Sequence, residues 1–568
     1  MSFEVQHDWQ ASLATPRPLI GERAKTRLLL LLCVLWITLG LVGHHPWKPE
    51  EAQTISSIKH VMQGASWGLP MMAGSPSLKY PPLYYLSASF SGWLASPWLS
   101  LHDAARLATG FWMAITLLMV GMTGREMWGK GSGRQTTFIF LSSLGLLFSA
   151  HLLSPMVAGL TGYAIGFYAL ALSPRRPWRA GGLLGLGIAV AALSTGLLGA
   201  EILLLCGLLL PVLFKSWRRP SSWATLTTGL AIAMPIVGFW LWHLWQQAPD
   251  LLLTWLATGH HALDNRSLPY FLKTLSWYAW PGLPLAAWAL WHYRDHLMQR
   301  PQFQLALTFF VVTLLMLGFG ADNRDIQALP LLLPIAVLGG AAIETLRRSA
   351  ASALDWFSIM LFGTLAFVIW LGWSAMMTGV PAKLAARMHK LSLDYTPHLD
   401  WRLLLAAIAV TTIWALVVFK AKRSNRAVVT DWAMGITMVW GLLMTLLLPW
   451  LDAAKSYDKM FASMQQALPA QYACVSSRHL GDSQRALLDY YLDIHAYPVE
   501  RSQHVDCDLY LIQDERRRDK FNPGPSWTLI WEGKRASDRR ESFRLYRFMP
   551  NGATSRADEP IRYPAQAT

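Results

Sequence analysis

Long apolar runs recur as far as about residue 450, each of roughly 17–25 residues, and lysines and arginines gather at every second boundary between them. Backbone polar groups crossing about 30 Å of hydrocarbon are satisfied only in helices or closed barrels. The pattern therefore predicts an all-α polytopic membrane protein. Spans are expected near 27–43, 102–123, 135–150, 155–173, 181–197, 199–214, 221–245, 271–291, 303–320, 327–345, 354–378, 403–419 and 428–450, about thirteen transmembrane helices. With 53% of the 568 residues hydrophobic and only 15% charged, that stretch leaves little polar surface for a soluble domain.

The basic boundaries are Arg17, Arg23, Lys25 and Arg27; Arg125, Lys130 and Arg134; Arg175, Arg176 and Arg179; Lys215, Arg218 and Arg219; Arg294 and Arg300; Arg347 and Arg348; and Lys420, Lys422, Arg423 and Arg426. Short loops rich in these residues stay in the cytoplasm. A cytoplasmic N-terminal tail at 1–26 and an odd span count then put the C-terminus in the periplasm of a bacterium, with the chain in the inner membrane. Residues 27–450 are the expected membrane domain, with a first periplasmic loop at 44–101, and 451–568 a small periplasmic α/β domain. Topology accounts for much of the +15 net charge, so no nucleic-acid partner is expected.

After about Trp450 the pattern changes. Strands are predicted at Val475, 508–512, 527–531 and 542–546, with a helix capped by Asp482 or Ser483 and running through Tyr491. Cys474 and Cys507 lie in this tail, where an oxidising compartment favours a disulfide over a metal pair; Cys33 and Cys206 fall in spans as small hydrophobes.

Ionisable residues are nearly absent from the middles of the spans, where an ion-coupled transporter generally needs them. They gather instead at the outer ends: Glu50, Glu51, Lys79, Arg106, His151, Glu201, His260, His261, Arg266, Asp322, Arg324 and Asp325. Such a ring suits an enzyme at the outer surface, where nucleotide sugars are lacking and a sugar arrives on a polyprenyl phosphate. A carboxylate would deprotonate the acceptor, and cations or a metal would stabilise the leaving phosphate. In the first loop, Ile55, Ile58 and Met62 alternate with polar residues, predicting a short amphipathic helix in the interface plane with Glu50 and Glu51 at its positive N-terminal end.

The segments Pro49-Glu50-Glu51, Gly64-Ala65-Ser66-Trp67 and Lys79-Tyr80-Pro81-Pro82-Leu83-Tyr84-Tyr85-Leu86 are followed by Ala105-Arg106-Leu107, Leu193-Ser194-Thr195-Gly196, Trp280-Pro281-Gly282-Leu283-Pro284, and Leu329-Pro330 through Leu333-Pro334. In order and spacing they resemble the GT-C-type integral-membrane glycosyltransferases that include the protein O-mannosyltransferases and the lipid A aminoarabinose transferases. The resemblance implies a GT-C-like fold and transfer of a sugar from polyprenyl (undecaprenyl) phosphate to a periplasm-facing acceptor. Span count and tail fit the branch whose acceptor is lipid A, or another lipid-linked glycan. A protein acceptor, a membrane transporter and a non-catalytic relative are the alternatives. The chain departs from the family pattern in having Glu50 for an aspartate, Tyr80 for the lysine beside the double proline with Lys79 one residue earlier, Ser154 for an acidic residue, and Thr195 at a commonly basic position.

On this reading Glu50 is the catalytic base, with a helix-capping carboxylate as the alternative. Glu51 binds the acceptor or a divalent metal ion, or is structural. Lys79, Arg106 and Arg324 bind the donor phosphate, with surface or ion-pair roles as alternatives. Tyr80, Tyr84, Tyr85, His151 and Glu201 are candidates for the substrate cavity, and His260 and His261 belong to a metal site or a plain loop. No further cofactor is expected, and the chain is expected to be a monomer.

Overall fold

A computed structural model describes residues 22–258, 267–393, 395–420, 425–500, 507–515, 521–535, 537–538 and 541–549. His260, His261, Arg266 and the tail beyond Met549 lie outside the described residues. Among those described, nine helices are long and apolar enough to cross a membrane, from Leu101–Trp128 to the continuous run Ala427–Ala467. The other expected spans are helical too, but shorter or broken: Glu22–Thr38, Ser132–Leu141 with Leu144–Ser149, Leu197–Leu213, and Ser267–Tyr278 with Gly282–His292. Two of the breaks satisfy each other. The Trp280 carbonyl, freed by the interruption at Pro281, accepts the Leu144 N–H at 3.1 Å. Interrupted backbone at membrane depth is tolerated where neighbouring protein supplies its partners in this way.

Small residues set the closest packing. A Cβ at Gly162 would lie 2.8 Å from the Gly187 carbonyl oxygen, and one at Gly187 2.7 Å from the Gly166 nitrogen, so the helices Pro155–Leu172 and Pro177–Thr195 meet backbone to backbone.

The chain beyond the last span forms an α/β domain. After the small first-loop hairpin β1 (Met71–Met72) and β2 (Ser75–Pro76), the strands are β3 (Val475–Arg478), β4 (Ala496–Pro498), β5 (Leu509–Glu515), β6 (Trp527–Gly533) and β7 (Glu541–Phe548), ordered β4-β3-β5-β7-β6. Strand β3 runs parallel to β4 and β5, while β7 is antiparallel to β5 and β6. The helix Asp482–Leu492 crosses between β3 and β4, with Gly481 rather than Asp482 or Ser483 at its N-cap. Cys474 and Cys507 form the expected disulfide.

The first-loop helix has the extent its period predicts, but its setting is corrected. It spans Glu50–Met62, and instead of lying in the lipid interface it is enclosed on both sides by protein. Ile55 and Ile58 pack in the membrane-bundle core, whereas Ala52 belongs to the core of the C-terminal domain with Tyr457, Phe461 and Leu487. Polar residues expected to face solvent meet the helix Asp482–Leu492: Gln53 Nε2 donates to Ser483 Oγ at 3.2 Å and Ser56 Oγ to Asp489 Oδ2 at 2.5 Å. Lys59 Nζ donates to the Asp489 carbonyl at 2.6 Å, satisfying an end of that helix where cations are favoured. The sequence period identified the helix; only the tertiary partner reveals that its polar face is covered. First loop and tail thus share one face, as an even number of crossings between them requires.

Candidate active site

The first-loop helix is held at its start by distant parts of the chain. Asp452, on Leu448–Lys455 where the last span runs out of the bundle, accepts from the His45 N–H at 3.0 Å and the Trp47 Nε1–H at 2.9 Å, and its other oxygen lies 2.7 Å from His45 Nδ1. That fixes the backbone just before Glu50 and Glu51.

The two adjacent glutamates face different surroundings. Glu51 is 1% exposed, and Arg106, 0% exposed, donates to it through Nε at 2.9 Å and Nη2 at 3.3 Å. The Trp47 and Leu153 N–H groups donate to the same carboxylate at 2.9 and 3.1 Å. Burial alone would raise the Glu51 carboxyl, but the Arg106 guanidinium and then His44 hold it below the ordinary carboxylate range. Arg106 also donates to Asp103 Oδ1 at 2.9 Å and to the His44 and His45 carbonyls at 2.7 and 3.2 Å. Both side chains are saturated by protein. The donor-phosphate role expected of Arg106, which reaches neither of the two cavities nearby, gives way to a buried ion pair, and the same pair holds Glu51 where it meets a cavity wall.

Both glutamates border a cavity of about 460 Å³, and there Glu50 accepts from Arg324 Nη1 at 3.0 Å. Asp325, Tyr270, Tyr278 and Lys455 share the cavity wall, and Tyr270 donates to Asp325 Oδ1 at 2.5 Å. A neighbouring cavity of about 290 Å³ lies on the other side of the 322–325 turn. Met156, Leu197, Leu198, Trp255 and Leu317 make it apolar, with Lys79, Tyr80, Thr195 and Asp322 as polar points. Lys79 Nζ donates to Gln53 Oε1 at 2.6 Å. Burial, and then the nearby Arg324 cation, lower the Lys79 ammonium below its usual value, while burial pushes Tyr80 up to about 12. Glu50, Asp322 and Asp482 oppose the lowering at Lys79, so cations and carboxylates alternate around the adjoining cavities.

The remaining candidates divide. Tyr80 lines the apolar cavity. Tyr84 and Tyr85 do not reach either cavity; they are buried in the bundle core, with the Tyr84 hydroxyl 2.6 Å from Thr109 Oγ1. His151 is also displaced from the expected role, its ring nitrogens 2.8 and 2.7 Å from the Leu147 and Trp36 carbonyl oxygens. Glu201, half-buried on Leu197–Leu213, lines neither cavity. Ser154 caps the helix Pro155–Leu172 by accepting the Met156 N–H at 3.3 Å, and Thr195 lines the apolar cavity. Sequence reading missed Tyr270, Tyr278 and Lys455. Lys455 was detectable as the first cation beyond the last span; its ammonium sits 4.5 Å from the Trp47 ring centre.

Bundle, enclosed first-loop helix and tail domain together give the GT-C-type membrane glycosyltransferase fold that the sequence resemblance implied. The crystal structure of ArnT from Cupriavidus metallidurans bound to undecaprenyl phosphate matches at a TM-score of 0.66 and 14% identity, covering 92% of this chain and 98% of that one; the apo ArnT crystal structure matches equally. In sequence, the undecaprenyl phosphate-alpha-4-amino-4-deoxy-L-arabinose arabinosyl transferase of Serratia proteamaculans is 21% identical over 475 residues, 81% of each chain. Its namesake from Yersinia enterocolitica is 23% identical over 451 residues, 74% of this chain and 76% of that one. No family model matches the sequence.

Proposed function

We propose that this chain is an inner-membrane glycosyltransferase that takes a sugar from undecaprenyl phosphate and transfers it at the periplasmic face to lipid A or another lipid-linked glycan. The relatives named for transfer of aminoarabinose from that carrier support the donor, and the basic boundaries of the sequence support the orientation. The observation that carries the reading is Glu50 paired to Arg324 at the wall of one cavity, beside an apolar cavity that holds Lys79.

In the reaction, the acceptor O–H gives its proton to Glu50 while its oxygen bonds to the anomeric carbon. The bond from that carbon to the phosphate oxygen breaks, and undecaprenyl phosphate leaves with the electron pair. Arg324 and Lys79 stabilise the negative charge gathering on the phosphate. Leu197, Leu198 and Leu317 suit the first isoprene units of the carrier. Glu51 and Arg106 act through position, holding the helix start that aims Glu50.

Mass spectrometry of lipid A and surface glycans tests this in cells with and without the chain. A species heavier by one sugar residue, present only with the chain, is expected. Identical glycan and lipid A spectra under inducing conditions would overturn the reading.

A further inference from the structure

Apart from both cavities, three ligand-type side chains meet where the first-loop helix abuts the C-terminal domain. His60 comes from the last turn of Glu50–Met62, Asp489 from Asp482–Leu492, and His495 from the residue before β4. Their donor atoms all lie within 4.8 Å of one another. Asp489, only 1% exposed, spreads its two oxygens between the imidazoles: Oδ2 is 3.2 Å from His60 Nε2, and Oδ1 is 3.2 Å from His495 Nε2.

Asp489 Oδ1 is the informative atom. It is wholly enclosed, and its contact with His495 Nε2 at 3.2 Å is an ion pair that falls short of good hydrogen-bond geometry. An enclosed carboxylate oxygen held by one imperfect contact is under-satisfied, and this one faces the space it shares with the imidazoles. The surrounding polar groups support the carboxylate without filling that space. Ser56 Oγ donates to Oδ2 at 2.5 Å, and the Gly74 N–H reaches His60 Nε2 at a long 3.3 Å. The nearby cation, Lys59, is engaged by Asp493 and by the Asp489 and Tyr490 carbonyls.

We propose that His60, Asp489 and His495 form a metal site of the zinc class that fastens the C-terminal domain to the first-loop helix. Two imidazoles and one carboxylate match zinc's preference for nitrogen with some oxygen, whereas calcium and magnesium favour all-oxygen sets. Small side-chain rotations bring the three donors to bonds of about 2.0–2.2 Å, and a water completes the tetrahedron. His495, 45% exposed, supplies the route by which the ion enters. Because His60 closes the helix that Glu50 opens, the ion would couple the seating of the tail domain to the position of the catalytic cavity.

The test uses the full-length protein in detergent, made without a polyhistidine tag, stripped with a chelator and titrated with Co2+ and then Zn2+. The wild-type protein is expected to take up about one equivalent, with visible cobalt bands of a low-coordinate site that Zn2+ abolishes. His495→Ala, at a half-exposed position, is expected to remove the bands and weaken Zn2+ binding by at least about tenfold, as is His60→Ala. Failure of the wild-type protein to bind either ion would overturn the proposal, as would binding by His495→Ala equal to wild type. Sugar transfer is not part of the readout, so the outcome is independent of the glycosyltransferase reading.

Discussion

Arg324 donates to Glu50 at 3.0 Å across 274 residues of sequence, joining the start of the first-loop helix to the turn between two late spans. The pair brings a proton acceptor and a fixed cation to one cavity wall. Removing a single preorganised donor to a developing anion typically lowers turnover by about 100–1,000-fold. Arg324→Ala is expected to fall in that range, with Arg324→Lys recovering part of the loss. Steady-state kinetics with an undecaprenyl-phosphate sugar donor check this, and turnover within threefold of wild type for Arg324→Ala would remove Arg324 from the site.

Arg106 and Glu51 should behave differently, because their pair is buried and bonded only to protein. Breaking one side of such a pair leaves an uncompensated charge and destabilises by about 3–5 kcal/mol. Arg106→Met and Glu51→Gln are each expected to lower thermal stability in detergent markedly, while leaving the KM for donor unchanged in the folded fraction. A variant of normal stability with a raised donor KM would instead return Arg106 to phosphate binding.

His45 gives the loop a pH dependence. The hydrogen bond to Asp452 raises the imidazole above its ordinary 6.5, outweighing burial. A group whose pKa is raised on folding contributes stability that is fully present below the unfolded value and is lost as pH rises through the folded value. Stability is therefore expected to decline from pH 6 upward through the raised pKa. His45→Asn should flatten that decline in thermal melts across the range; an unchanged slope would rule out His45 as its source.

The disulfide joins the chain before β3 to the chain before β5, where those strands pair in parallel. Closing a loop of this size contributes about 3–4 kcal/mol in the chain-entropy treatment. Reduction, or Cys474→Ser with Cys507→Ser, is expected to make the tail domain far more sensitive to proteolysis while the membrane bundle remains intact. Equal cleavage rates for oxidised and reduced protein would contradict this.

Much of the membrane bundle was legible because apolar length is a one-dimensional property: each expected span is largely helical, and the two broken ones contain Pro281 or the Ser142-Ser143 step. The tail strands at Val475, 509–515, 527–533 and 541–548 were legible from alternation, whereas β4, only Ala496–Pro498, was too short to show a period. The site was legible in kind but not in assignment. Glu50 and Glu51 are indistinguishable as residue types, and a one-residue step along the helix pairs one with Arg324 at the cavity wall and the other with the buried Arg106. Lys455 and Tyr270 reach the same cavity from segments hundreds of residues away, which no local pattern encodes. Likewise, Tyr84 and His151 carried polar atoms that looked available until Thr109 and two backbone carbonyls were seen to occupy them.

The account turns on Glu50 as the group that takes the acceptor proton. Glu50→Gln keeps the side chain's length and an oxygen for Arg324 while removing the base, and general-base catalysis is worth about 100–10,000-fold. The most direct measurement is the rate of sugar transfer from an undecaprenyl-phosphate donor to lipid A by purified Glu50→Gln protein, alongside its thermal stability and donor binding. The account predicts a folded protein that binds donor normally and transfers at least about 100-fold more slowly. A Glu50→Gln protein that transfers sugar at the wild-type rate would contradict it.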